Sequence, residues 1–142
     1  MAVYSLARIT TATGSAAACL EIRTATTPRP RIFEIGISLQ AATASEIGLG
    51  RPAAIGLTPT SPVTWLAEDP GDPVGTVQTA LAWATGPTVP ANFLRRVSLE
   101  AKIGAGIIWT FPRGLIIPIS SGLVLWNIST VSALNVWVVG DE

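Results

Sequence analysis

Histidine is absent from the chain. That absence removes Ser-His-Asp and Cys-His nucleophile arrangements, and with them the His-rich metal sites of cupin-type barrels. Cysteine is nearly absent: Cys19 stands alone, so no disulfide within the chain can brace the fold. It lies in the apolar run Ala16-Ala17-Ala18-Cys19-Leu20, which reads as a small buried hydrophobe rather than a reactive thiol.

Charge is scarce as well. Nine basic and nine acidic residues cancel, and charged residues make up only 13% of the chain, against about 25% in an ordinary soluble domain. A surface so poorly charged protects a free monomer weakly against self-association, which points to a surface that is covered in an assembly. Neutrality also argues against nucleic acid as a partner, because phosphate binding needs Lys and Arg concentrated on one face. The one basic pair, Arg95-Arg96, points to opposite faces if it lies on a strand. Lysine occurs once, as Lys102, beside eight arginines in an Ala-, Gly- and Pro-rich chain, a composition that hints at a GC-rich coding genome.

The start, MAVYSLARITTATGS, has no basic segment leading into a long apolar core, so a secretory signal is not expected and synthesis and assembly in a cytoplasm are. A membrane span is not expected either. The apolar stretch from Ile103 to Ile128 is interrupted by Pro112, Arg113, Pro118 and Ser120-Ser121, whereas a spanning helix needs about 20 mostly apolar residues.

What the chain does have is alternation. In RIFEIGISLQ, Phe33, Ile35, Ile37 and Leu39 alternate with Glu34, Gly36, Ser38 and Gln40, as in a strand with one wet face. FLRRVSLEAKI places Phe93, Val97, Leu99, Ala101 and Ile103 on one face, with Arg95 as the exception. GIIWTF groups Ile107, Trp109 and Phe111, and ALNVWVV sets Leu134, Val136 and Val138 against Asn135, Trp137 and Val139. Further strands are predicted over Val3 to Thr10, Ala18 to Thr24, Leu115 to Ile119 and Leu123 to Ile128. The last two are joined at SSG, with Gly122 supplying the permissive turn backbone and Pro118 at an edge. The Leu123–Ile128 strand is apolar on both faces, which calls for a second cover, such as a neighbouring subunit.

Helical signals are confined to DPVGTVQTALAWA, where Asp72 suits a cap and Pro73 the first turn; Gly75, Val77 and Thr79 favour extended chain equally. A Pro- and Gly-rich excursion covers about residues 48–90. The expectation is a single domain over residues 1–142: an all-β antiparallel sandwich of about eight strands, jelly-roll in connection, with that long excursion.

Candidate sites are few. Glu68, Asp69 and Asp72 in AEDPGDP could serve a hydrolase as a carboxylate pair, but Asp-Pro and Pro-Gly are ordinary turn chemistry. The same cluster lacks the spaced oxygens of a Ca²⁺ loop. Glycines in EIGLGRP and KIGAGII lack the following helix or lysine of a nucleotide loop. No catalytic residue, cofactor or metal is therefore assigned, and the chain is not read as an enzyme. Of the five tryptophans, Trp83, Trp109, Trp126 and Trp137 lie in apolar runs as core or interface anchors. Trp65, beside the acidic turn, is the one open to two readings, a structural anchor like the others, which is favoured, or an exposed ring that stacks on a glycan.

The phrases RPRIFEIGIS, IGLGRPAAIGLTPT, FLRR, GIIWTFPRGLIIP, LVLWN and VWVVGDE resemble small virion proteins of tailed phages of actinobacteria, of the minor structural or capsid decoration kind. The resemblance spans residues 29–142. It implies a jelly-roll-like sandwich on the outer surface of an icosahedral head, a homotrimer whose partner is the major capsid protein, with neither nucleic acid nor membrane bound. On that reading the subunit interface falls on Trp109, Phe111, Leu115, Ile117, Leu125 and Trp126. Capsid contact falls on Arg51, Pro59 or the amino-terminal segment. The alternative from a different class is a glycan-binding or host-attachment module built around Trp65.

Overall fold

Alternating apolar residues build two antiparallel sheets that face each other. The computed structural model describes residues 1–10, 16–24, 29–129 and 133–142, and these form thirteen strands and no helix. Four long strands come first, β1 (Val3–Ile9), β2 (Ala17–Thr24), β3 (Arg31–Leu39) and β4 (Ser45–Gly50). Five short ones follow, β5 (Leu57–Pro59), β6 (Pro62–Val63), β7 (Leu66–Ala67), β8 (Gln78–Ala80) and β9 (Trp83–Thr85). The chain ends with β10 (Arg95–Leu99), β11 (Gly106–Ile116), β12 (Ser121–Asn127) and β13 (Leu134–Asp141).

One sheet, A, runs β11-β3-β13-β1-β7 and the other, B, runs β10-β4-β12-β2-β8-β6. Apart from the short strands, each step along the chain from β1 to β4 and from β10 to β13 crosses between the sheets. Two antiparallel four-stranded sheets connected in that way are a jelly-roll sandwich. Between them lie Ile35, Ile37 and Leu39 of β3, Val136 and Val138 of β13, Leu20 and Ile22 of β2, and Leu123 and Leu125 of β12. Burying this many branched side chains supplies the main favourable term in folding, about 1.5 to 3 kcal/mol for each side chain fully removed from water.

Three register shifts correct the simple alternation, one of them in sheet B, where Leu125 pairs with Leu20 and Trp126 with Ala18, leaving Cys19 as the extra residue. In β3, Glu34 pairs with Val139 and Ile32 with Gly140, which leaves Phe33 as an extra residue. Ile32 turns inward, and Phe33 ends half-buried under the Arg31 guanidinium, 5.8 Å from the ring centre. In β11, Thr110 pairs with Glu34 and Leu115 already with Ile32, so Phe111-Pro112-Arg113-Gly114 loops out. Gly114 takes φ +69° there, a left-handed angle that suits glycine, and Pro112 has no N–H to leave unpaired. Leu115 is therefore the tail of β11 rather than the start of a separate strand. The turn into β12 places its left-handed residue at Ser120, φ +57°, while Gly122 is already inside the strand.

The Pro-rich excursion is one antiparallel ribbon. Ala54 faces Thr88, Leu57 faces Thr85, Pro59 faces Trp83, Pro62 faces Ala80 and Val63 faces Thr79, all in a single register. Pro59 and Pro62 cannot donate to a ladder, which cuts the ribbon into strands of two or three residues. The segment considered for a helix supplies β8 and β9 of its returning arm. The β-branched Val77 and Thr79 suit that extended course better than a helix. At its tip the ribbon crosses to sheet A, where Leu66 and Ala67 pair with Ser5 and Tyr4 of β1. It thereby straps one side of the sandwich and leaves the β10 and β11 edges open on the other.

Cys19 is fully buried, its thiol donates to the Leu125 carbonyl at 3.3 Å, and burial pushes its pKa up to about 12. A thiol held protonated in this way is the inert hydrophobe expected from the sequence.

Candidate interaction surface

The two outer faces of the sandwich differ. On sheet B, outward-pointing Ala18, Val124 and Trp126 form a second apolar cluster, closed over by Trp83, Phe93 and Ile128. Phe93 meets the Trp126 ring edge-on at 5.7 Å between centres. Its own ring occupies the space where a Cβ on Gly48 would stand, at 2.6 Å. The glycines of IGLG, Gly48 and Gly50, thus leave β4 without side chains at two positions of its outer face, which lets Phe93 and Pro90 lie against it.

The second cover over β12 is therefore this chain's own excursion, where a neighbouring subunit was expected. The FLRRVSLEAKI face is corrected likewise. Val97 and Leu99 point toward the main core, but Phe93 packs on the outer face of sheet B and Ile103 is 69% exposed in the turn after β10.

Two polar side chains of β2 fasten the excursion. The buried Glu21 carboxylate accepts the Gly56 N–H at 3.0 Å, and Arg23 donates to the Gly56 carbonyl at 2.6 Å. Residues two apart on a strand share a face, so both meet one peptide segment from below. Glu21→Ala is expected to cost about 1 to 3 kcal/mol by leaving that amide unsatisfied. Hydrogen exchange checks it: amides of the ribbon base around Gly56 and Trp83 should lose protection, while those of β3 and β13 keep theirs.

The residues singled out from the sequence are placed as follows. Trp109, Ile117, Leu125 and Trp126 are at most 7% exposed within the single chain, so they offer no contact area to a subunit. Phe111 and Leu115 are half-buried, with Phe111 carrying the Arg95 guanidinium 5.6 Å from its ring centre. Trp65 is 2% exposed and its indole N–H donates to the Thr79 hydroxyl at 2.5 Å, which removes the stacking platform of the glycan reading. Arg51 is used internally, donating from Nη2 to the Ile116 carbonyl at 2.8 Å, and burial lowers its pKa. Pro59 lies in β5 at an open cleft of about 440 Å³ shared with Arg23 and Gln78. Of the amino-terminal segment, residues 11–15 and 25–28 lie outside the described residues.

The acids of AEDPGDP form a turn. The Asp69 carboxylate accepts the Gly71 N–H at 2.8 Å, and the Asp72 N–H reaches the Asp69 carbonyl. Among the described residues no three His, Cys, Asp or Glu side chains gather as a metal-binding group.

The outer face of sheet A has no such cover from the described chain. Its outward residues stand in four rows: Gly106, Ser38, Asn135 and Ile9; Ile108, Gly36, Trp137 and Ala7; Thr110, Glu34, Val139, Ser5 and Leu66; and, beyond the bulges, Ile116, Arg31, Asp141 and Val3. Glu34 is the single charged group of the first three rows, and it accepts the Trp137 indole N–H at 2.8 Å; the fourth row carries the Arg31–Asp141 ion pair, also at 2.8 Å. The Trp137 ring lies flat over Gly36, where a Cβ would come within 1.9 Å of it. Ile9 and Ile108 are each 55% exposed and Leu66 is 71% exposed.

From strand spacing and rise, four strands by three rows present on the order of 400 Å², a size of apolar patch that on a monomer often marks a contact site. Sequence alternation assigns this face to solvent through Glu34, Ser38 and Gln40. It does not show that Gly36 lets a tryptophan lie across the sheet. Comparison with known proteins finds no matching family model, no matching curated protein and no matching solved structure.

Proposed function

We propose that the chain is a virion structural protein, a capsid decoration protein on the outer surface of a tailed-phage head. It acts by assembly rather than catalysis, with the major capsid protein as partner and a homotrimer as its working state. The observation that carries this reading is the uncovered outer face of sheet A, where three successive rows hold Glu34 as their single charge. A flat apolar sheet of this size is suited to being laid against another protein surface. The phrases over residues 29–142 that resemble phage virion proteins supply the identity of that surface. Many copies each making a modest contact would hold a shell through multivalency rather than through any single tight interface.

The test is immunogold electron microscopy of particles produced from the genome that encodes the chain, with antibody raised against the purified protein. Dense labelling of intact heads is expected. Label confined to tails, or absence of the protein from purified particles, would refute the decoration reading.

A further inference from the structure

The two sides of the sandwich carry opposite charge at the same height. On the open side, Arg113 projects from the β11 bulge and Arg95 from the neighbouring β10, both exposed and, among the described residues, without a carboxylate partner. Half-buried Phe111 and 41%-exposed Ile116 lie beside them. On the strapped side, Glu68 and Asp69 are exposed and Asp72 half-buried in the turn after β7, flanked by Leu66 at 71% and Val74 at 73% exposure. Asp72 and the Glu142 carboxylate also lie close enough to Tyr4 to add to the effect of burial in raising its phenol pKa.

Register fixes the relative height. Thr110 stands level, across the whole of sheet A, with Glu34, Val139, Ser5 and Leu66; Leu115 stands level with Ile32, Gly140, Tyr4 and Ala67. The basic bulge lies between those two rows. Glu68 follows directly, its N–H bonded to the Val3 carbonyl. Arg8 is farther down the acidic edge, past Ser5 along β1.

We infer that copies of this chain associate head to tail, the Arg95–Arg113 edge of one against the Glu68–Asp72 edge of the next. The occupant of each edge is a second copy because each edge carries what the other lacks: two unpaired guanidiniums against a group of carboxylates, each beside exposed apolar side chains. Such a contact is heterologous, and a heterologous contact makes a ring if it closes and a filament if it does not. With both edges at one height, successive copies are not stepped along the strand axis and stay in one plane, and the series closes as a ring when each contact turns the next copy by a whole fraction of a circle. This deepens the assembly reading and rests on it in taking the partner to be another copy. The outer face of sheet A stays free for the shell.

Size exclusion with light scattering on a dilution series, at low ionic strength, tests it. Wild type should associate, and association should weaken at least tenfold when salt is raised, because exposed pairs are screened over about 10 Å at 0.1 M. Arg95→Glu with Arg113→Glu, or Glu68→Lys with Asp72→Lys, should each weaken it at least tenfold, and all four together should restore it. Asp69 is left unchanged because its carboxylate holds the turn. Mixing the two double variants should give mixed oligomers, a readout independent of the fourfold variant's folding. A monomer at every concentration, an oligomer indifferent to either reversal, or no mixed species from two folded variants would overturn the inference. Each of these leaves the head-labelling result unaffected.

Discussion

Trp126→Ala is expected to destabilise the fold by about 3 to 5 kcal/mol, the range for removing a buried tryptophan, and to leave self-association unchanged. The ring is 1% exposed, packed among Val124, Ala18, Trp83, Phe93 and Ile128, and met edge-on by Phe93. Alanine there leaves a cavity between sheet B and the excursion, whose base is held in place by the bonds of Gly56 to Glu21 and Arg23. For a chain of this length the loss corresponds to a drop in Tm of about 10 °C or more. Thermal unfolding followed by near-ultraviolet circular dichroism measures it, and light scattering well below the transition measures association. A variant that melts like wild type but dissociates would return Trp126 to the subunit interface and remove the intrachain cover as its explanation.

The contrast between Trp126 and Trp65 shows how far the residues alone reach. Period-two runs locate β3, β10, β11 and β13 because one face of each strand must be apolar, and that condition is local. They also give the all-β sandwich, since strands of this kind with no helical pattern need a second sheet to bury against. What covers a strand on its other side is not local.

The LVLWN run announces two apolar faces, but the groups that close the second one, Trp83 in the excursion and Phe93 just after it, precede the run by some thirty to forty residues. Trp65 sits among polar and turn-forming neighbours, yet the strap folds it inward, where Thr79 satisfies its N–H. The strand Ser45–Gly50 has no period-two signature because Gly48 and Gly50 carry no side chain; their blankness is what admits Phe93 and Pro90. The bulge at Phe111–Gly114 hides in the same way. Phe111, Pro112 and Arg113 read as continuing or breaking a strand, and only pairing with β3 shows four residues looped out against one. The candidate surface followed the same division: its residues are legible as the outward half of three strands, while its lack of cover depends on where the excursion goes.

Ile108→Glu is expected to lower occupancy on heads more than tenfold while changing fold stability by no more than about 0.5 kcal/mol, the usual scale for an exposed site. Ile108 is 55% exposed at the end of the row that continues through Gly36 and Trp137 to Ala7. Burying what remains of an isoleucine is worth on the order of 1 kcal/mol, and forcing a carboxylate into the same contact adds a desolvation cost of similar or greater size. Together they exceed the 1.4 kcal/mol that equals a factor of ten.

Trp137 is a poorer probe of the same face, because its indole also shields Gly36 and holds the Glu34 carboxylate, so its removal would disturb the sheet itself. Ile103→Glu is the matched control: it is 69% exposed, lies in the turn after β10, and belongs to neither the apolar face nor the charged edges. Heads stripped of the protein and titrated with each purified variant, then sedimented, give the occupancies. Loss with Ile108→Glu but not with Ile103→Glu places the shell contact on sheet A. Equal binding by both variants would mean that the shell is held elsewhere, with the edges and the excursion the next surfaces to alter.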